Sequence, residues 1–167
     1  MMSVDAVVPR AVVPSASGVS LIELVVVISL LSVLTVTAVP VFDASDRLHV
    51  WGAVRTLERD VQYAREWAVN HGTTTSVVFS LAPSSSYALT AGSPGSTLEQ
   101  PLTGETFDVE IETEHAASIS NLSLSSGSTL QFASSGRALV HGSITLMSGL
   151  QTATLHVEED TGATRIE

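Results

Sequence analysis

The sequence predicts an α+β fold in which one long N-terminal helix, membrane-type in its first half and amphipathic in its second, packs against an antiparallel β-sheet head. Three observations carry this expectation. Residues 24–42 (LVVVISLLSVLTVTAVPVF) hold no ionisable group; apolar residues then recur at helical spacing from Val50 to Ala68; beyond Gly72 the helical period gives way to short β-branched and alternating segments.

Charge restricts what such a chain does. Seventeen acids face seven arginines, with no lysine, for a net charge of −10. That balance argues against a nucleic-acid surface, which needs clustered positive charge. The absence of cysteine rules out a disulfide framework, a thiol nucleophile and thiolate metal ligands.

The first element is the apolar run. As a helix its 19 residues span about 28 Å, close to a hydrocarbon core of about 30 Å, so a membrane helix is the default reading. The single charge in residues 17–40 is Glu23. Ser20-Leu21-Ile22-Glu23 fits a capping box, and a carboxylate in the first turn suits the positive end of the helix dipole. A plain signal peptide cleaved near Val36-Thr37-Ala38 is a rival reading, but the run is longer than such an apolar region and Asp5 offsets Arg10 ahead of it. A further reading places a cut after Gly18. Val19 then carries a free amine four residues before Glu23, and the amine of an adjacent, axially shifted subunit neutralises that carboxylate where an unpaired charge is costly.

The second element follows Asp43. Val50, Val54, Leu57, Val61, Ala64 and Ala68, spaced 4-3-4-3-4, form one helical face, with Arg47, Arg55, Glu58, Arg59, Asp60, Arg65 and Glu66 as the polar remainder. Asn70-His71-Gly72 is a C-terminal stop. The whole helix is expected over about 20–70, some 75 Å long. Trp51 and Trp67 flank the apolar face and read as edge-of-core anchors.

The head follows as strands at 75–81 and 87–90, a loop at 92–105, and a cleanly alternating strand at 107–112. The serine-rich stretch 113–128 gives no clear signal. Strands are expected around Leu130 and Phe132, around Ile144 and Leu146, over Ala153–Val157, and at 163–166 after a turn at Asp160-Thr161-Gly162.

Gly18-Val19-Ser20-Leu21-Ile22-Glu23-Leu24 resembles the cleavage and methylation motif of type IV prepilins and type II secretion pseudopilins. The resemblance implies cleavage after Gly18 by a prepilin peptidase, N-methylation of Val19, an assembly and register role for Glu23 at the fifth mature position, and a helix kink at Pro40 at the twenty-second. Val19 departs from the usual phenylalanine, and the leader carries only one arginine. Within the head, Ala64-Arg65-Glu66-Trp67-Ala68, Phe132-Ala133-Ser134-Ser135-Gly136-Arg137 with Gly142-Ser143-Ile144-Thr145-Leu146, and Gly162-Ala163-Thr164-Arg165 resemble motifs of GspH/FimT-type minor pseudopilins and minor pilins. The implied organisation is a leader at 1–18, a transmembrane or filament-core helix at 19–42, an amphipathic helix at 43–72 and a periplasmic head at 73–167.

The remaining chemistry is thin. Asp160-Thr161-Gly162-Ala163 spells an aspartic-protease motif, yet that mechanism needs two aspartates sharing a proton, and a hairpin turn explains these residues better. Glu158-Glu159-Asp160 lacks the alternating ligand spacing of a calcium loop, and the five histidines include no H-x-x-x-H pair. No catalytic residue, metal site or cofactor is expected. The resemblance implies a non-enzymatic minor pseudopilin of a type II secretion system, in the inner membrane by a single span with its N-terminus cytoplasmic, and then in the pseudopilus. Its partners would be other pseudopilins, the prepilin peptidase and the inner-membrane assembly platform, with no nucleic acid. A minor pilin of a type IV pilus and a secreted β-domain stand as alternatives.

Overall fold

A computed structural model describes residues 20–81, 83–92 and 95–167, with side chains except at 34–43. Helix α1 extends over Leu21–His71. Its residues up to Val39 fall in one compact unit, and those from Pro40 belong to the other, Pro40–Glu167.

In the second unit the predicted helical stripe is the spine of the core. Val50, Val54, Leu57, Val61, Ala64 and Ala68 are all fully buried, and Ala53 joins them. Helix α1 ends where the sequence placed its stop, with the Thr73 N–H donating to Ala68 O at 3.2 Å and Gly72 at φ +66°.

Strands β1 (Thr75–Ser80), β2 (Ser86–Ala91), β3 (Ser96–Thr97), β4 (Asp108–Glu110), β6 (Thr129–Phe132) and β7 (Ala138–Val140) make one antiparallel sheet in the order β3-β2-β1-β6-β7, with β4 also paired to β2. A second antiparallel sheet runs β10-β9-β8-β5, from Thr164–Ile166, Gln151–Val157, Gly142–Ser148 and Ser118–Leu124. Alternation chooses the inward face: Val77 and Phe79 on β1, Ile144 and Leu146 on β8, and Ala153, Leu155 and Val157 on β9 enter the same core as the helix stripe. The fold is α+β, as expected, but with two sheets.

Three departures have physical causes. The strand expected over 107–112 stops at Glu110, and Ile111–His115 winds into the short helix α2. Burial still alternates through Phe107, Val109 and Ile111, so the pattern reported the buried face correctly while the backbone changed state. The Ile111 N–H still donates to Ser85 O at 2.9 Å, one step beyond the Ser86–Glu110 pair, so the strand pairing with β2 ends where α2 begins. The unclear stretch 113–128 supplies β5, whose register shifts between Ile119 and Asn121 where it pairs with β8. Within the expected loop 92–105, Ser96–Thr97 pairs with Thr90 and Ala91.

Candidate functional site

The start of α1 is unlike any other surface among the described residues. Leu21, Ile22, Leu24, Val25, Val26, Val27, Ile28, Leu30, Leu31 and Val33 are all exposed, from 49% to 80%. A helix apolar on every side needs lipid or other helices around it. Its polar side chains fit that setting. The Ser29 hydroxyl donates to Val25 O at 2.7 Å and the Ser32 hydroxyl to Ile28 O at 2.8 Å, so both are satisfied on their own helix.

Glu23 is the acid of the first turn and is exposed, next to Leu24, whose N–H makes a 3.1 Å bond to Ser20 O. Gly18 and Val19 lie outside the described residues. Pro40 lies within the range of α1, and its side chain is also outside them. Among the described residues no helix is long and apolar enough to cross a membrane. The described apolar side chains end at Val33, and a run of 13 residues from Leu21 spans only about 20 Å.

The head motifs converge on one seam. Arg65 Nε donates to Gly136 O at 2.9 Å. Gly136 holds φ +80°, and a Cβ there would stand 2.9 Å from Val69 Cγ2, so only glycine lets the β6–β7 turn approach the helix end. A Cβ on Gly162 would meet Gly136 O and the Phe132 ring, each at 3.0 Å. One turn further back, Gln62 Nε2 donates to Thr164 Oγ1 at 3.1 Å, and the Thr164 hydroxyl donates to Glu58 Oε1 at 3.2 Å. Arg137 and Asp160 pair at 3.4 Å with both side chains mostly exposed, a contact worth little by itself. The seam holds two hairpins on the helix; it is architecture rather than chemistry.

Asp60 corrects the sequence reading, which set it on the polar face. It is 4% exposed, accepts a 2.6 Å bond from the buried Tyr87 hydroxyl, and pairs with Arg59 Nε at 3.2 Å. Burial first, and then the Asp60 carboxylate, push the Tyr87 hydroxyl well above its ordinary range. The signal was present, since Leu57, Asp60 and Ala64 follow the same 3-4 spacing as the buried stripe. Beside this pair a groove of about 420 Å³ is lined by Asp60, Tyr63, Leu102, Phe107, Val109 and Glu114, with Tyr63 stacked on Phe107 at 5.7 Å.

Asp160, of the protease-like tetrapeptide, sits at φ +63° in an exposed turn in which the Glu158 N–H donates to Ala163 O at 2.9 Å. Among the described residues no group of three or more His, Cys, Asp or Glu side chains is arranged to hold a metal.

No curated protein and no solved structure matches the chain. A family model described as type II transport protein GspH matches residues 53–161, more than half of the chain. The matched span takes in Arg65, Gly136 and Arg137 of the seam and ends just before Gly162. The chain therefore belongs to the GspH family of type II transport proteins, a family of structural pseudopilins.

Proposed function

We propose that the chain is a minor pseudopilin of a type II protein secretion system, a structural subunit and not an enzyme. It is inserted in the inner membrane by residues 19–42, with its N-terminus cytoplasmic and its head periplasmic. Prepilin peptidase cuts after Gly18 and methylates Val19. The mature chain then joins other pseudopilins at the assembly platform, in a filament that drives protein export. The observation that carries this reading is the helix start, apolar on every side and bearing one acid, in a chain of the GspH family. Such a surface is covered by lipid before assembly and by neighbouring helices afterwards. Glu23 is held at its rim by the amine of an adjacent subunit, and Pro40 bends the helix within the packed filament.

The reading as a DNA-uptake pilin draws no support from the head. Its two arginines beyond Gly72, Arg137 and Arg165, each pair with a carboxylate, Asp160 and Glu167. The test is mass spectrometry of the mature N-terminus after co-expression with the processing enzyme. A methylated start at Val19 is expected. Retention of residues 1–18 rejects the proposal, and a start near Val39 indicates a secreted domain instead.

A further inference from the structure

The β8–β9 hairpin closes through a two-residue turn, Gly149-Leu150, with Ser148 paired to Gln151. Small or polar residues usually occupy such a tip, yet here Leu150 stands 93% exposed. Its place along α1 gives that exposure a meaning. A Cβ on Gly149 would collide with the Asp46 carboxylate, so the turn lies directly against the helix at the level of Asp46. Asp46 comes four residues after Phe42, the end of the apolar run, or about 6 Å along the helix axis. The polar layer on each face of a bilayer is about 5–7 Å deep.

Other side chains at this corner suit that layer. Leu48 is 73% exposed, and it lines an open recess of about 660 Å³ with Arg47, Trp51 and Gln151, the residue next to Leu150. The Arg47 guanidinium is exposed and makes no ion pair among the described residues. Tryptophan and arginine both settle at a membrane–water boundary, the first by its amphipathic ring and the second by its hydrogen bonds to phosphate.

A second bare leucine supplies the contrast. Leu102 is 99% exposed, but the helix residues beside it are Thr56, Arg59, Asp60 and Tyr63. Thr56, the nearest of these to Asp46, is ten residues further along α1, or about 15 Å. It lies beyond the depth of the polar layer. The net charge of −10 also opposes any general adhesion of the head to anionic lipid.

We infer that the tip of the β8–β9 hairpin rests in the bilayer interface, with Leu150 and Leu48 at the acyl boundary and Arg47 on a lipid phosphate. The inference rests on the membrane reading above and adds to it a lipid contact made by the head itself. A second point of attachment restricts how the head turns on the membrane before assembly.

The chain lacks cysteine, so single cysteines can carry an environment-sensitive fluorophore. Val27→Cys, Leu102→Cys and Leu150→Cys versions of the full chain are labelled and reconstituted in phosphatidylcholine–phosphatidylglycerol vesicles, with nitroxide lipids as quenchers. The Leu150 label should emit at shorter wavelength than in water and be quenched most by nitroxides at headgroup depth. The Leu102 label should emit as in water, and the Val27 label should be quenched most by deep nitroxides. Arg47→Glu with Leu48→Ser should reduce quenching at 150, most strongly where phosphatidylglycerol is present, and leave the Val27 signal unchanged. Both substituted positions are exposed, so denaturant melting of this variant should match the native chain. An aqueous Leu150 label beside a deeply quenched Val27 label rejects the hairpin contact and leaves the pseudopilin reading standing. Equal quenching at 102 and 150, or quenching at 150 indifferent to the double substitution, also overturns the inference. A Val27 label in water removes the membrane segment itself, and both readings fall together.

Discussion

At the level of single residues, the head is held by a few positions where identity is not negotiable. Gly136 combines a left-handed backbone with a Cβ position 2.9 Å from Val69 Cγ2. Gly136→Ala should lower stability by roughly 1–3 kcal/mol, read by denaturant melting. Val69→Ala in the same chain should recover only the part due to the clash, because the backbone penalty remains. Tyr87 and Asp60 form a second such position. Tyr87→Phe removes a buried hydrogen bond to a charged group and should cost roughly 1.5–3 kcal/mol. The Tyr87 pKa is raised in the folded state, so above the ordinary tyrosine value of about 10 the unfolded chain releases a proton that the folded chain retains. Stability from this group is therefore complete below pH 10 and falls as pH rises beyond it. Thermal melts across that range should show a steeper alkaline decline for the native chain than for Tyr87→Phe.

At the level of elements, burial governs, and burial was what the sequence displayed most clearly. The 4-3-4-3-4 spacing from Val50 to Ala68 named six residues that are all fully buried. Leu57→Ala should cost about 2–5 kcal/mol, whereas Leu48→Ala, at a 73% exposed position, should change stability by no more than about 0.5 kcal/mol. Paired melting curves check the contrast. Strands β1, β2, β8 and β9 were legible because β-branched and apolar residues alternate there over six or seven positions. Shorter or serine-rich strands were not. β5 (SISNLSL) offers little side-chain bulk, β7 has only three residues, and α2 is a five-residue helix with no side-chain cap bond at its start. Asp60 was misplaced for another reason. A carboxylate is set outside by default, and Arg59 beside it together with Tyr87 from another element makes its burial tolerable.

At the level of the whole molecule, the proposed function lies in the segment with the fewest internal contacts to explain it. The proposed site is read from Gly18, Glu23 and Pro40 as a motif, to which the proposal gives cutting and assembly rather than packing of the head. For the same reason the fold of one chain explains them least: Glu23 is exposed, and the partner proposed for it belongs to another subunit. Glu23→Val should leave membrane insertion and cleavage intact while abolishing recovery of the protein with sheared filaments. Recovery at the native level would mean that helix capping is its whole role.

The seam has one more consequence, which concerns the order in which the protein is made. It joins Arg65 to Gly136 and sets Gly162 against both Phe132 and Gly136, while Thr164 reaches back to Gln62 and Glu58. Synthesis delivers the helix well before these residues. The head therefore cannot finish folding until Thr164 has been made. On the proposed topology, the apolar segment emerges long before that and reaches the bilayer ahead of a compact domain that would resist being threaded across it.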